Sequence, residues 1–591
     1  MRRKLKYAAA AAAGVLLLLW LFCLPRDLFE GTTYSTVVTD RNGALLGARV
    51  ADDGQWRFPP RDTLPEKFVK ALVEFEDRTF FDHCGVSPRA LVRAAIQNIR
   101  NGRIVSGGST LTMQVIRLSR QKPRTLWQKL IETCMATRLE LRCSKEEILR
   151  LYAAHAPFGG NVVGIDAARW RYLGSDRTEL SWAEAATLAV LQNAPSSIHL
   201  ARNRDQLLAK RNRLLARLHA KGEIDEEDYA LALEEPLIGE PYPMPQYAPH
   251  LVEWYDRKAH GQRTVTHIDR GLQHRMEEVL VRWNRELRQR GIRDLAAIIV
   301  EVESGEPAAY CGNSDLSFDR DGKWVDIARS PRSSGSILKP LLYAAALEQG
   351  TILPNSLLPD VPMDFGGFAP KNFDGTYAGA IEADQALALS LNIPNVYLLK
   401  EYGILRFVET LRQAGLKTLS RPADEYGLSL ILGGAEVTLV DIATCYARMA
   451  ACYQESTRYP DFPLHDRVAL YRTFEAMREV VRPDEMDWRR ASSAQNIAWK
   501  TGTSYGSRDA WAIGLTPKYV IGIWAGNANG SGVADLTGAR IAGPVLFELF
   551  GLLSGCGWFE EPGDKEGTIR SVCSHSGYPV SYTHLRAHET L

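Results

Sequence analysis

The sequence predicts a multidomain chain: an N-terminal transmembrane helix, a mainly α-helical domain, and an α/β (α+β) domain behind a proline-rich linker. Three observations predict this. An unbroken apolar run from Tyr7 to Leu24 follows Arg2, Arg3, Lys4 and Lys6. From Pro65 to about Leu233, apolar residues recur at helical spacing. Beyond Thr264, apolar strand patterns stand at both ends of a helical middle.

The apolar run is about the length that crosses bilayer hydrocarbon, roughly 20 residues. Basic residues before it hold that end in the cytoplasm. Pro25-Arg26-Asp27-Leu28-Phe29 offers no small-x-small cleavage site, so an uncleaved anchor is expected over residues 1–33, with the rest of the chain outside the cytoplasm. The 591 residues, 45% hydrophobic and 24% charged, suit at least two globular domains. Lys plus Arg (71) nearly balances Asp plus Glu (70), which leaves no footprint for nucleic acid. Nine scattered cysteines form no C-x-x-C pair or Cys/His cluster, so no metal site is expected. Cys445 and Cys452 lie in an apolar helical pattern and are expected to be buried.

Short strands with turns occupy about Tyr34 to Phe58. Helices are expected over Ala90 to Ile99, Leu126 to Leu141, Lys145 to Ala154 and Trp182 to Leu191. These make a domain over 34–235. Pro236, Pro241, Pro243, Pro245 and Pro249 then crowd one stretch, read as a linker over 236–263. The second domain, 264–553, opens with an amphipathic helix at Gly271 to Trp283. Strands follow at Ala296 to Val302 and Pro307 to Cys311, and again near Ala510 to Leu515 and Tyr519 to Ala525.

In the helical domain, Glu76-Asp77-Arg78-Thr79-Phe80-Phe81-Asp82-His83 sets two carboxylates beside aromatics and a histidine. Gly107-Gly108-Ser109-Thr110-Leu111-Thr112-Met113-Gln114 follows. Its glycines let backbone N–H groups approach a ligand, and a helix start favours an anion. Lys129 and Glu132 share a helical face. Two acids with hydroxyls and cations suit glycosyl transfer from a phosphate-linked donor. One carboxylate takes a proton from the attacking hydroxyl, and cations stabilise the departing pyrophosphate.

These segments resemble glycosyltransferase family 51, the peptidoglycan polymerases. The pattern E-D-x-x-F-x-x-H-x-G matches Glu76, Asp77, Phe80, His83 and Gly85. G-[GA]-S-T-[IL]-T-x-Q matches Gly107 through Gln114. K-x-x-E matches Lys129 and Glu132, and K-x-x-I-L-x-x-Y matches Lys145, Ile148, Leu149 and Tyr152. The resemblance implies a lysozyme-like fold and makes Glu76 the base that activates the sugar 4-hydroxyl of lipid II. Glu132 would assist the leaving group, directly or through a divalent cation, Mg or Mn. Asp77, His83, Ser109, Thr110, Gln114, Arg117 and Lys129 would bind the substrates. Two positions depart from the family: Gln128 stands where Arg is usual, and Ala154 where Asn is usual. Ala156-Pro157-Phe158-Gly159-Gly160 is similar to the 1C-type branch.

In the second domain Ser336-Ile337-Leu338-Lys339, Ser390-Leu391-Asn392 and Lys500-Thr501-Gly502-Thr503 occur in that order. A serine becomes nucleophilic when a neighbouring base takes its proton. Lys339, one turn on and beside a second cation such as Lys500, has a lowered pKa and can be that base. Ser390 and Asn392 complete a proton path. Thr501, Gly502 and Thr503 read as an edge strand on which an acyl peptide lies, the glycine letting it come close. This set resembles the penicillin-binding transpeptidases, whose fold is that of the β-lactamases and which take no cofactor.

Together the resemblances identify a class A penicillin-binding protein of the 1C-type branch. They imply a bifunctional synthase that polymerises lipid II into glycan strands and cross-links stem peptides, binds β-lactams, and sits in the bacterial inner membrane with its catalytic domains on the periplasmic side. Two other readings stand beside it: a D,D-carboxypeptidase or β-lactamase in which water is the acceptor, and a scaffold with one or both sites inert that recruits other wall-synthesis proteins. The four groups Ser336, Lys339, Ser390 and Lys500 should converge, and Glu76 and Glu132 should face one cleft. Residues 554–591 read as the start of a truncated C-terminal domain followed, from about Pro579, by a non-native, exposed tail.

Overall fold

A computed structural model of the chain describes residues 2–101, 107–174, 179–192, 203–482, 495–563, 566, 571–574 and 576–578. The expected non-native tail lies outside the described residues. The chain divides into two units: one comprises Met1–Thr39, Gly43–Gln246 and Val252–Val265, the other Asp40–Asn42, Tyr247–Leu251 and Thr266–Leu591.

The first unit is mainly helical. Its first helix, α1, spans Arg2–Leu21. No helix among the described residues is long and apolar enough to cross a membrane. The sequence alone reads Tyr7 to Leu24 as one apolar span, but α1 starts on its charged residues and stops at Leu21. Arg138 Nε donates to the Leu21 carbonyl (3.2 Å) and Trp20 Nε1 to Thr137 Oγ1 (3.0 Å). A terminal carbonyl captured by arginine is a natural helix end.

Strands β1 (Thr36–Thr39) and β2 (Leu45–Arg49) pair antiparallel. Strand β3 (Trp56–Arg57) joins β4 (Pro157–Gly159) and β5 (Val162–Val163) in a small sheet. The helices are α2 (Glu66–Glu76), α3 (Pro88–Asn101), α4 (Leu111–Arg120), α5 (Leu126–Glu140), α6 (Lys145–His155), α7 (Ile165–Leu173), α8 (Trp182–Leu191), α9 (Arg204–Ala220) and α10 (Glu226–Glu234). The sequence of α8 is apolar on every side, and such a helix belongs inside a core. It is buried from Trp182 to Leu191 except at Glu184, whose carboxylate closes a capping box with Ser181. It shares one core with Phe68, Leu72, Ile116, Leu139 and Ile148.

The proline-rich stretch is not a free linker. Tyr242 N donates to Arg171 O (2.7 Å). Helix α11 (Pro249–Lys258) contains the division between the units. Strand β6 (Arg263–Val265) then pairs parallel with β1. The second unit therefore resumes at Thr266 rather than Thr264. Proline breaks helices, but it leaves the flanking residues free to pair.

In the second unit, β7 (Asp294–Glu301), β8 (Pro307–Cys311), β13 (Ala498–Thr503), β14 (Asp509–Leu515) and β15 (Tyr519–Gly526) form an antiparallel sheet in the order β13-β14-β15-β7-β8. Smaller pairs join β9 (Arg332–Ser333) to β12 (Glu436–Val437) and β10 (Leu357–Asp360) to β11 (Gly379–Glu382). Helix α12 (Arg270–Gln289) covers one sheet face, with Met276, Leu280, Ile299, Trp499, Ile521 and Phe550 in one core. The helix Leu439–Tyr453 covers the other face and buries Cys445 and Cys452. Side chains alternate along a strand. With Trp499 turned to the α12 face, Lys500 points to the opposite face, the side from which α13 (Lys339–Glu348) starts.

Candidate active sites

The first site stands on α2, α4, α5 and α6. Glu76 is the last residue of α2, and its Oε2 accepts from Gln114 Nε2 on α4 (2.8 Å). Gln114 Oε1 in turn accepts from Arg117 Nη2 (3.1 Å). Burial lowers the Arg117 pKa, while Glu132, Tyr152 and Glu76 all act on it in the opposite sense. Arg117 thus lies within electrostatic reach of both carboxylates. Glu132, on α5, is buried, and burial raises its pKa against the pull of Arg117, Arg120, Arg124 and Lys129. Tyr152 on α6 is buried beside Glu76, and its phenol is pushed well above its ordinary range, by burial first.

Arg120 Nη2 donates to Gln128 Oε1 (3.1 Å), so a cation from α4 stands where the sequence lacks one on α5. The sequence reading missed Arg120, because its reach across the two helices leaves no spacing signal. Ser109 and Lys129 are half-buried and free to meet a ligand.

Three expected substrate contacts are instead turned to the framework. Asp77 Oδ2 takes a hydrogen bond from His83 Nε2 (3.0 Å) and one from Leu111 N at the start of α4 (3.0 Å). Gly85 N donates to His83 Nδ1 (3.2 Å), which fixes the imidazole proton on Nε2. The Thr110 hydroxyl donates to Gly85 O (2.6 Å) and accepts from Met113 N (3.2 Å) as the cap of α4. These groups spend their hydrogen bonds holding α4 against the α2 end. Lys145 completes the clamp by bonding His83 O (2.7 Å) and Glu140 (2.9 Å).

The second site lies where α13 starts against β13. Ser336 precedes α13 in a 3₁₀-like turn, Lys339 N donating to Ser336 O (3.3 Å), and its side chain is half-buried. Lys339 is fully buried, and its Nζ bonds Ser390 O (2.8 Å), Leu391 O (3.1 Å) and Asn392 Oδ1 (2.9 Å). Lys500, also fully buried, bonds Ser390 Oγ (2.7 Å) and Thr501 O (2.9 Å). Ser390 adopts a left-handed backbone (φ 57°), which turns its carbonyl to one lysine and its hydroxyl to the other. Burial, then Lys500, pushes Lys339 well below its ordinary value, and burial brings Lys500 to about 7.

Gly502 is explained differently from expectation. A Cβ there would lie 2.8 Å from Ile337 Cγ2 and 2.9 Å from Ser334 O. The glycine lets β13 approach the serine-bearing turn itself. Thr503 Oγ1 accepts from Gly538 N (3.0 Å), and Thr501 is half-buried. A buried chain behind the site escaped the sequence reading: Asp360 Oδ1 accepts from Asn372 Nδ2 (2.7 Å), and Asn372 Oδ1 accepts from Asn392 N (2.9 Å). Lys371-Asn372-Phe373-Asp374-Gly375 reads as an ordinary turn, so nothing local announces it.

Comparison with known proteins finds a family for each of the two units. The Transglycosylase family matches residues 43–219, and the penicillin binding protein transpeptidase domain matches residues 295–545. The chain is 40% identical over 523 residues to penicillin-binding protein 1C of Escherichia coli, covering 88% of this chain and 68% of that protein. It is therefore a class A penicillin-binding protein. Penicillin-binding protein 1B of Vibrio cholerae is 30% identical over 543 residues, 84% of this chain and 69% of that one. The crystal structure of penicillin-binding protein 1A from Haemophilus influenzae shares the fold, with TM-score 0.54, 16% identity, and coverage of 93% and 96% of the two chains. As a class A penicillin-binding protein, the chain is a bifunctional peptidoglycan glycosyltransferase and transpeptidase.

Proposed function

We propose that Glu76 is the base of glycan polymerisation and Ser336 the nucleophile of cross-linking. Glu76 takes the proton of the attacking sugar 4-hydroxyl of lipid II. Gln114 orients the carboxylate, and Arg117, Arg120, Arg124 and Lys129 supply charge for the departing pyrophosphate. Glu132 assists departure directly. Its surroundings are cationic, and among the described residues no three His, Cys, Asp or Glu side chains gather. That donor set does not fit a divalent ion held by protein alone. Asp77, His83 and Thr110 position the site without touching substrate.

In the second site, neutral Lys339 takes the Ser336 proton as Oγ attacks the penultimate D-alanyl carbonyl of a stem peptide. The terminal D-alanine leaves with a proton passed through Ser390 and Lys500, and an amine of a second stem then takes the acyl group. The carrying observation is the convergence of both buried lysines on Ser390. A lysine stripped of water and set near a second cation is a base at neutral pH. The basic start and apolar body of α1, with Leu16, Leu17 and Leu19 exposed, support a membrane anchor for the chain, with both sites outside the cytoplasm.

Labelling by a fluorescent penicillin should vanish in Ser336→Ala; labelling that survives places the nucleophile elsewhere. Glu76→Gln should cut glycan polymerisation by at least about a hundredfold while penicillin labelling persists. Undiminished polymer would remove Glu76 from its role.

A further inference from the structure

Asn392 meets Lys339 through its amide oxygen, and its other contacts decide that it is the oxygen. Oδ1 accepts from Lys339 Nζ (2.9 Å), while Nδ2 donates to Lys371 O (2.8 Å). With the amide protons turned to a backbone carbonyl, the oxygen is left for the lysine. The Asn392 backbone N donates to Asn372 Oδ1 (2.9 Å), and Ile393 N points to the same oxygen (3.4 Å).

Those two N–H groups open the helix Asn392–Tyr402, which receives no side-chain cap from the adjacent Leu391. The first N–H groups of a helix have no partner inside it. Asn372 supplies one from 20 residues upstream. It is the buried residue of an otherwise exposed segment, 371–380. Its Nδ2 donates to Asp360 Oδ1 (2.7 Å) and Thr376 O (2.9 Å), so both ends of the amide are spent. Asp360 is buried too, and its Oδ2 accepts from Ala378 N (2.8 Å). A chain reversal alone would not need to aim this amide at a distant helix. The carboxylate aims the amide, and the amide aims the helix start.

The turn before that helix needs holding. Ser390 is left-handed (φ 57°), and Lys339 Nζ bonds the carbonyls of Ser390 (2.8 Å) and Leu391 (3.1 Å). Such a backbone persists where its surroundings fix it from several sides. Lys339 holds the turn through its carbonyls, and Asn372 holds the N–H groups that follow.

We infer that Asn372, aimed by Asp360, is a positioning residue of the acylation step, keeping the Asn392 oxygen on Lys339 and Ser390 between the two lysines. The inference rests on Ser336 as nucleophile and Lys339 as its base. Asn372 acts through Asn392. It also bears on the pH dependence of the step. Lys500 of β13 is the charged group acting on Lys339, the helix start presents neutral oxygens to it, and Asp360 stands behind Asn372. An acceptor on the ammonium favours the protonated form. Loss of the Asn392 oxygen therefore moves the acid limb of acylation to lower pH, while the lost geometry slows the step throughout.

The test follows acylation of the full chain by a fluorescent penicillin across a pH series. Endpoint labelling counts the reactive sites, and the rate is expressed per site. Asn372→Ala should be slower per site by about tenfold or more, with its acid limb at lower pH. Asn372→Asp faces Asp360 with a second carboxylate, and such a pair shares one proton. Its rate relative to the unaltered chain should fall as pH rises. Asp360→Asn combined with Asn372→Asp rebuilds the contact with donor and acceptor exchanged, and should recover both rate and profile. If Asn372→Ala yields no reactive sites, the decision passes to Asn372→Asp and the exchanged pair. An unchanged rate and profile in Asn372→Ala would overturn the inference. So would fewer reactive sites at an unchanged rate per site, the mark of a purely structural residue. So would an exchanged pair that labels fully yet stays as slow as Asn372→Asp. No labelling of Ser336 in the unaltered chain would remove the underlying assignment, and the inference with it.

Discussion

Two buried lysines share one serine at the transpeptidase site, and their protonation is the chemistry. Lys500 carries its proton in the unfolded chain up to about pH 10.4 but releases it at about 7 when folded. Between those values the unfolded chain binds the extra proton. Stability must therefore rise with pH across that window, by up to about 1.4 kcal/mol per unit from this one group. Below about pH 7 the cost of burying the charge is felt in full. Denaturant unfolding of the unaltered chain and of Lys500→Met, compared between pH 7 and 9, should show the difference moving in favour of the unaltered chain as pH rises. A constant difference would mean that Lys500 is not depressed. Gly502 makes a second residue-scale prediction. The Cβ of Gly502→Ala would fall 2.9 Å from the Ser334 carbonyl, a backbone atom that cannot move without the serine turn. Penicillin acylation should drop at least about tenfold, as expected when a catalytic group is displaced by a fraction of an ångström.

At the scale of elements, the glycosyltransferase site depends on how α4 is held. Its first N–H groups have no partner within the helix and must find one outside. Asp77 takes the Leu111 N–H, and Thr110 takes that of Met113. Asp77→Ala leaves both Leu111 N and His83 Nε2 unpaired in a buried place, which should cost about 2–6 kcal/mol at about 1–3 per orphaned group. Melting of the first unit should shift down and polymerisation should fall, while penicillin labelling stays. A variant of normal stability that fails only in substrate binding would instead return Asp77 to direct contact. The capping boxes of α6 (Ser144 with Glu147) and α8 (Ser181 with Glu184) are plain in S-x-x-E, because both partners lie within one turn. The Asp77 cap is not, since its partner is 34 residues away.

For the whole molecule, the two units each carry a hydrophobic core of their own, one around α8 and one between α12 and the sheet. Changes confined to one site should thus leave the other activity near its original level. If α1 and the following Phe22-Cys23-Leu24 anchor the chain, the protein should stay in the membrane pellet after an alkaline carbonate wash and leave it only with detergent. Release by carbonate alone would reduce α1 to a peripheral contact.

The chemistry was legible from residue order, because catalytic motifs are short and their members act from fixed local offsets. Helical periodicity located α3, α5, α6 and α8 of the first unit. Tertiary structure decided what those patterns face. It turned Asp77, His83 and Thr110 inward and brought Arg120 to Gln128. It paired Arg263–Val265, past the proline-rich stretch, with β1, ended α1 at an arginine, and placed Asp360 and Asn372 behind Asn392. The physical reason is common to all of these. A period states which face of an element is buried and a cap states where it begins. The partner of a buried polar group is chosen by whichever distant segment packing brings within hydrogen-bond reach.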